Sequence, residues 1–150
     1  FKAIALGAPY VKLVCMGRAT MVPGFLGSNI EGALNLDVKE KIHGNWDKLP
    51  ASIAEFGTSP DEIFAGYYDV QKKVGKDEMK NIPFGAIALW TLCDKLAAGL
   101  QQLMAGARRF SVKAISREDI FSANRETEKE TGIPFITDWA DDKAKKILKS

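Results

Sequence analysis

The sequence predicts an α/β fold in which one buried strand is followed mainly by helices. The run Tyr10–Met16 is almost continuously apolar and contains β-branched and aromatic residues. Such a run is typical of a strand that is covered on both faces, as in a parallel sheet. A short helix ending at Gly7 comes before it, and Ala8-Pro9 favours extended backbone at the start of the strand. Beyond residue 26, most of the chain has apolar residues at helical spacing.

The pair Gly17-Arg18 follows this predicted strand at its carboxyl end, where α/β sheets place their ligands. Glycine allows the backbone to approach an anion closely, and it tolerates unusual φ and ψ angles. Arginine adds a fork of donors that suits phosphate, and the start of a following helix adds N–H groups. The spacing alone leaves open whether the pair binds an anion or is a plain turn with a surface charge.

The stretch ALGAPYVKLVCMGRA, residues 5–19, resembles the last βα unit of FMN-dependent (β/α)8 barrels. The resemblance implies that FMN is the cofactor and that Gly17 and Arg18 hold its phosphate, with Met16 and Ala19 on either side. It also implies the architecture: residues 1–26 are the C-terminal piece of an FMN-binding TIM barrel, with its last strand and phosphate loop. A mostly α-helical extension, residues 27–150, would pack on that barrel.

A second stretch, Gly99–Ser122, resembles the C-terminal helical extension of the glutamate synthase FMN domain, and Arg117–Ile120 matches a short motif there. Over most of its length the chain resembles the smaller proteins of the FMN-binding glutamate synthase family. Classical glutamate synthases carry three closely spaced cysteines after the Gly-Arg turn, which ligate an iron–sulfur cluster. Here no cysteine follows Met16 before Cys93, so we expect no such cluster in this stretch.

The resemblance implies the C-terminal part of an FMN-dependent, glutamate synthase-like oxidoreductase. Its partners would be the N-terminal remainder of the barrel, as the same parent chain or as a separate subunit, and an electron-donor protein. A strand like Tyr10–Met16 needs neighbouring strands, and no second run of matching character is present, so we expect the chain to be part of a larger enzyme. Two alternatives stay open: a non-enzymatic helical interaction module, and an FMN barrel that acts on another substrate.

Composition, net charge and the length of apolar runs argue against nucleic-acid binding and against a membrane span. The 150 residues are 46% hydrophobic and 27% charged, with a net charge of +2, which indicates a globular chain without a nucleic-acid-binding surface. The longest apolar run, residues 84–93, is far shorter than the roughly 20 residues that a membrane span requires. Cys15 and Cys93 lie far apart in apolar segments, which favours small core residues in a reduced, cytoplasmic protein.

The sequence offers neither a catalytic group nor a metal site. His43 is the single histidine, and it lies beside the helix break Gly44-Asn45, which favours a surface position. A metal site needs several convergent ligands, and no such cluster of residue types occurs. We therefore name no catalytic residue in this chain, and we expect the reacting groups of the parent enzyme to come before Phe1.

Capping patterns and one apolar stripe predict particular helices in the extension, residues 27–150. Residues 27–29 can cap a helix over Ile30–Ile42, and Ser59, Pro60 and Glu62 together form a capping-box pattern. A long apolar stripe predicts a helix from Pro83 to about Met104 that is buried on much of its surface.

Glycines and a second cap mark further features. Gly85 and Gly99 lie inside the long predicted helix, where glycine lowers helix stability, so we expect another element to pack closely on them. Ser116 is expected to cap a helix whose body is Ile120–Glu130.

Overall fold

The computed structural model of this protein describes residues 1–35 and 46–149, and helices account for the regular structure of these residues. The α-helices of these residues are α1 (Lys2–Gly7), α2 (Met21–Leu34), α3 (Ala51–Ala54), α4 (Pro60–Ile63), α5 (Tyr67–Val74), α6 (Phe84–Gly106), α7 (Arg125–Thr131) and α8 (Ile136–Leu148). Short 3-10 helices cover Gly17–Thr20, Glu78–Asn81, Val112–Ala114 and Arg117–Asp119. The described residues contain no β-strand, and their one β-bridge joins Ser122 to Phe135.

The predicted α/β class, with a last TIM-barrel strand at Tyr10–Met16, is therefore wrong for the described chain. The residues from Val11 to Met16 have no regular secondary structure, and Tyr10 and Leu13 are 88% and 86% exposed. A strand buried on both faces depends on hydrogen-bonded neighbours at its edges. The described residues supply no such neighbour, and β propensity alone does not hold an isolated segment in a sheet.

The chain divides into two compact units. One comprises Met16–Gly99, and the other combines Phe1–Cys15 with the chain from Leu100 onward. The predicted division at residues 26 and 27 concerns a barrel and its extension, and it stays a prediction.

The unit Met16–Gly99 has the larger apolar core. Ile30 on α2 and Ile87 on α6 are each only 1% exposed. The buried residues that cluster with them are Phe64, Val70, Met79 and Ala88. The rings of Phe64 and Phe84 meet edge to face at a centroid distance of 5.8 Å, an arrangement that aromatic pairs prefer. This core holds α2, α5 and α6 together.

Glycines allow α2 and α6 to approach each other at backbone distance. A Cβ atom on Gly27 would lie 2.5 Å from the carbonyl oxygen of Phe84, and one on Gly85 would lie 2.7 Å from the carbonyl oxygen of Gly24. The close packing predicted for Gly85 is confirmed. A Cβ atom on Gly99 would meet nothing within 4 Å, so the same prediction is wrong for Gly99.

Glu31 caps the start of α6 from a distant point in the sequence. Its Oε2 atom accepts a hydrogen bond from the Phe84 backbone N–H at 3.1 Å, which satisfies one of the amides that a helix start leaves unpaired. Burial raises the pKa of this carboxyl above its ordinary value of 4.5, although the hydrogen bond from Phe84 opposes the rise. The folded protein therefore holds the Glu31 proton more tightly than the unfolded chain does.

Two substitutions at Glu31 are expected to change the free energy of unfolding at pH 7 in different directions. A raised folded-state pKa contributes stability that is fully present below pH 4.5 and is lost as pH rises through the folded-state pKa. Glu31→Gln keeps an acceptor without the charge, so at pH 7 its free energy of unfolding should equal or exceed that of the natural protein by about a few tenths of a kcal/mol. Glu31→Ala removes the acceptor and should cost about 1 kcal/mol, as the loss of a cap does.

Urea unfolding of both variants at pH 4 and pH 7 checks this expectation. The stability of Glu31→Gln relative to the natural protein should improve from pH 4 to pH 7. An equal loss of stability in the two variants at pH 7 would show that the buried charge, and not only the acceptor, stabilises the fold.

The helix boundaries agree with several sequence signals. The capping box of Ser59 and Glu62 is present, although α4 extends only over Pro60–Ile63. The long helix predicted from Pro83 to Met104 is confirmed as α6, but Leu96 and Leu103 are exposed, so its expected burial is too extensive. Residues 27–29 are not a cap, because they lie inside α2. The helix predicted over Ile30–Ile42 lies partly outside the described residues, and His43 lies wholly outside them.

The other unit is built around a polar junction and a few buried apolar residues. Asp119, whose side chain is 6% exposed, accepts hydrogen bonds from Arg109 Nε at 2.8 Å and from the Ser116 amide at 2.8 Å. The Ser116 cap is confirmed, but it starts only a 3-10 turn, and Ile120 then has extended backbone. The helix predicted over Ile120–Glu130 is therefore shorter, and α7 starts only at Arg125.

No helix among the described residues is long and apolar enough to cross a membrane. Cys15 and Cys93 are exposed, free thiols, so their predicted position in the core is wrong.

Candidate functional site

The turn at Met16–Ala19 is the site that the sequence predicts, and its backbone is shaped by Gly17. Met16 has right-handed helical angles, with φ −98° and ψ −10°, and Gly17 has a φ of +52° in the left-handed region. Consecutive right-handed and left-handed residues turn their N–H groups toward one side and form a concave nest for an anion. The 3-10 helix Gly17–Thr20 then continues directly into α2.

The amides of this turn have no hydrogen-bond partner within the described parts of the chain. The N–H groups of Met16, Gly17 and Arg18 donate to none of the described residues. The Ala19 amide differs, because it donates to the Met16 carbonyl at 3.2 Å, and the Thr20 hydroxyl donates to the Gly17 carbonyl at 3.1 Å. Three consecutive amides are thus available to an acceptor, while Ala19 and Thr20 hold the turn in shape.

The local charge favours an anion. The Arg18 side chain is exposed, and it pairs with no carboxylate of the described residues. The first turn of α2 contains no acidic residue that would compete for the positive end of the helix dipole. A phosphate at the turn would meet the amides of Gly17 and Arg18 and a guanidinium that no described carboxylate neutralises.

Space at the turn is also adequate for an anion. A Cβ atom on Gly17 would meet nothing within 4 Å, so no described group packs against the turn at that position. Met16 is 44% exposed, and its side chain borders the turn in the open. These donors fit a phosphate group and offer nothing for a flavin ring, which would need other residues.

The turn does not follow a β-strand, in contrast to the expectation from the sequence. The preceding segment, Val11–Met16, is irregular, so no sheet edge positions Gly17 and Arg18. The start of α2 positions them instead.

The described residues contain no group of three or more His, Cys, Asp or Glu that could hold a metal ion. His43, the one histidine considered as a ligand or base, lies outside the described residues.

Sequence reasoning missed a cavity of about 670 Å³ between α1 and the loop at residues 112–118. Its lining combines residues that are about a hundred positions apart. No local pattern joins such residues, and only the tertiary packing brings them together.

Comparisons with known proteins give no relative for this chain. It matches no protein-family model, no curated protein and no solved structure. The fold and the turn therefore define only a broad class, a mainly helical protein with an amide-lined turn that is suited to an anion.

Proposed function

We propose that this chain is the C-terminal, flavin-phosphate-binding part of an FMN-dependent oxidoreductase that resembles the glutamate synthases. The observation that carries the proposal is the turn at Met16–Arg18, where Gly17 is left-handed and where three amides and the Arg18 guanidinium have no partner among the described residues. The resemblance of residues 5–19 to flavin-binding proteins supplies the identity of the anion.

Each residue of the turn has a distinct role in the proposal. The Gly17 and Arg18 amides donate hydrogen bonds to the phosphate, and the Arg18 guanidinium adds charge. Met16 precedes the turn and contributes its amide, whereas Ala19 is a small flanking residue whose amide closes the turn. Bound FMN would supply the electron transfer of the parent enzyme, with a 2-oxoacid and ammonia as the reacting partners implied by the resemblance.

The partners in this proposal are the remainder of the oxidoreductase, which would hold the flavin ring, and an electron-donor protein. A cytoplasmic location belongs to the same proposal. The two free, exposed cysteines support it, because unpaired thiols are ordinary in a reducing compartment.

A comparison of FMN with riboflavin tests the phosphate role directly, because riboflavin lacks the phosphate. We expect the chain to bind FMN more tightly than riboflavin, and Arg18→Ala to weaken FMN binding by about tenfold with no effect on riboflavin, since charge-assisted hydrogen bonds are lost. Fluorescence titration of the flavin measures both affinities. Lys95→Ala removes an exposed positive charge elsewhere and serves as the control.

Two results would contradict the proposal: equal affinity for the two flavins, or unchanged FMN affinity in Arg18→Ala. Circular dichroism should show that Arg18→Ala stays folded, because this side chain is exposed.

A second candidate is a non-enzymatic helical interaction module. The strand predicted at Tyr10–Met16 would distinguish the oxidoreductase from such a module, and it does not form. The segment is instead exposed and apolar, as interaction surfaces often are. Native mass spectrometry separates the two candidates. A complex with FMN and a larger polypeptide supports the oxidoreductase, and a folded chain without flavin supports the module.

A further inference from the structure

We propose that the cavity between α1 and the loop at residues 112–118 binds a small ligand with one anionic head group on an apolar body. The cavity lies wholly within the unit that combines Phe1–Cys15 with the chain from Leu100 onward. None of Met16–Ala19 lines it, so this inference is independent of the proposed flavin site.

Packing of α1 against the 3-10 turn Arg117–Asp119 forms the cavity. The fully buried Ala5 anchors α1, and the buried Asp119 anchors the turn through Arg109 and Ser116. Ala5, Arg109 and Asp119, which hold these walls, do not line the cavity, whereas Ser116 does. Its volume of about 670 Å³ is within the range of small-molecule sites, which is roughly 300–1,000 Å³.

The interior of the cavity offers apolar contacts. Ile4 and Pro9 line one wall, and Val112 and Ile115 line the other. Ile115 is only 4% exposed, so it forms a fixed floor. A hydrocarbon or aromatic body that covers these side chains would be stabilised by the removal of apolar surface from water.

The polar lining is mainly cationic. Lys12, Lys113 and Arg117 line the cavity, and Glu118 is the one acidic residue among its lining residues. Neither lysine pairs with a carboxylate of the described residues. The guanidinium of Arg117 is held by the Thr131 carbonyl at 2.7 Å, which leaves its charge and further N–H donors available.

One backbone donor adds to these charges. The Lys12 amide donates to no described residue, although it belongs to a lining residue of the cavity. An anionic head therefore finds an excess of positive charge beside an apolar floor. A carboxylate and a phosphate monoester share the chemistry that these groups recognise.

Titration of the ¹⁵N-labelled chain with simple probes tests the proposal. Octanoate and octyl phosphate combine an anionic head with an apolar body, 1-octanol has the body alone, and acetate and inorganic phosphate have the head alone. We expect one or both of the combined probes to shift the amide signals of Lys12 and Lys113, and to bind at least about tenfold more tightly than the single-feature probes. The tighter of the two combined probes identifies the head group.

A charge variant gives the decisive comparison. Lys12→Gln with Lys113→Gln should weaken binding of the tighter probe by about tenfold or more, because two charge-assisted contacts are lost. Lys95→Gln removes one charge outside the cavity and should leave the affinity unchanged.

Three results would overturn the proposal. These are 1-octanol binding as tightly as the combined probes, amide shifts confined to residues outside the cavity, and unchanged affinity in the double variant. The unchanged far-ultraviolet dichroism of the double variant, whose two substituted side chains are exposed, would confirm that loss of binding is not loss of folding.

Discussion

Replacement of Ile87 by alanine is expected to lower the free energy of unfolding by about 2–5 kcal/mol. Ile87 is 1% exposed and belongs to the cluster that joins α2, α5 and α6. The substitution removes three carbon atoms from a site with no access to water and leaves a cavity between helices. Because whole domains are stable by only about 5–15 kcal/mol, this change should remove a large share of the total.

Urea unfolding followed by circular dichroism measures the effect of Ile87→Ala. Leu96→Ala is a control in the same helix, since Leu96 is 43% exposed and outside the buried cluster. The control should cost much less, because its side chain already contacts water in the folded state. A loss in Ile87→Ala no greater than that in Leu96→Ala would mean that α6 does not depend on this core.

Gly27→Ala is expected to destabilise the same unit by about 1–3 kcal/mol or more, through overpacking. The added Cβ atom would lie 2.5 Å from the Phe84 carbonyl oxygen and 2.7 Å from the Gly85 Cα atom. Both are backbone atoms at the start of α6, so neither retreats as the end of a flexible side chain does. The two helices must therefore separate, which weakens the contacts of Ile30 and the hydrogen bond of Glu31 to Phe84.

Gly24→Ala supplies a matched control one turn earlier in α2. A Cβ atom at Gly24 would meet nothing within 4 Å, and alanine favours a helix interior over glycine by about 1 kcal/mol. The same chemical change should thus stabilise the protein at Gly24 and destabilise it at Gly27, as measured by urea midpoints. Stabilisation by both substitutions would contradict the backbone contact between α2 and α6.

The parts of the fold that could be predicted from sequence depend on neighbours in the chain. The Ser59 and Glu62 cap and the extent of α6 are set within one or two helical turns. The strand at Tyr10–Met16 was predicted from residue type, but a strand also needs partners that a local pattern does not supply.

For the candidate sites too, features set by the local sequence could be predicted and features set by tertiary packing could not. The conformational freedom required of Gly17 is visible in the sequence, and the structure gives that residue a positive φ. The sequence did not predict that Glu31 caps α6, because its partner Phe84 is 53 residues away and the pairing arises only from the packing of α2 on α6. The sequence did not predict the cationic cavity either, since Lys12 and Lys113 are brought together by tertiary structure alone.

The amides of Lys12 to Cys15 donate no hydrogen bond to the described residues, which has a consequence for the integrity of the chain. No hydrogen bond among the described residues shields these amides, so they exchange with solvent as those of an unfolded peptide do, and Lys12 is an exposed site for a trypsin-like protease. A cut there separates α1 from the rest of the covalent chain. The packing of α1 on the 3-10 turn Arg117–Asp119, with Ala5 buried, would then keep it in place, as in a complex of two complementing fragments.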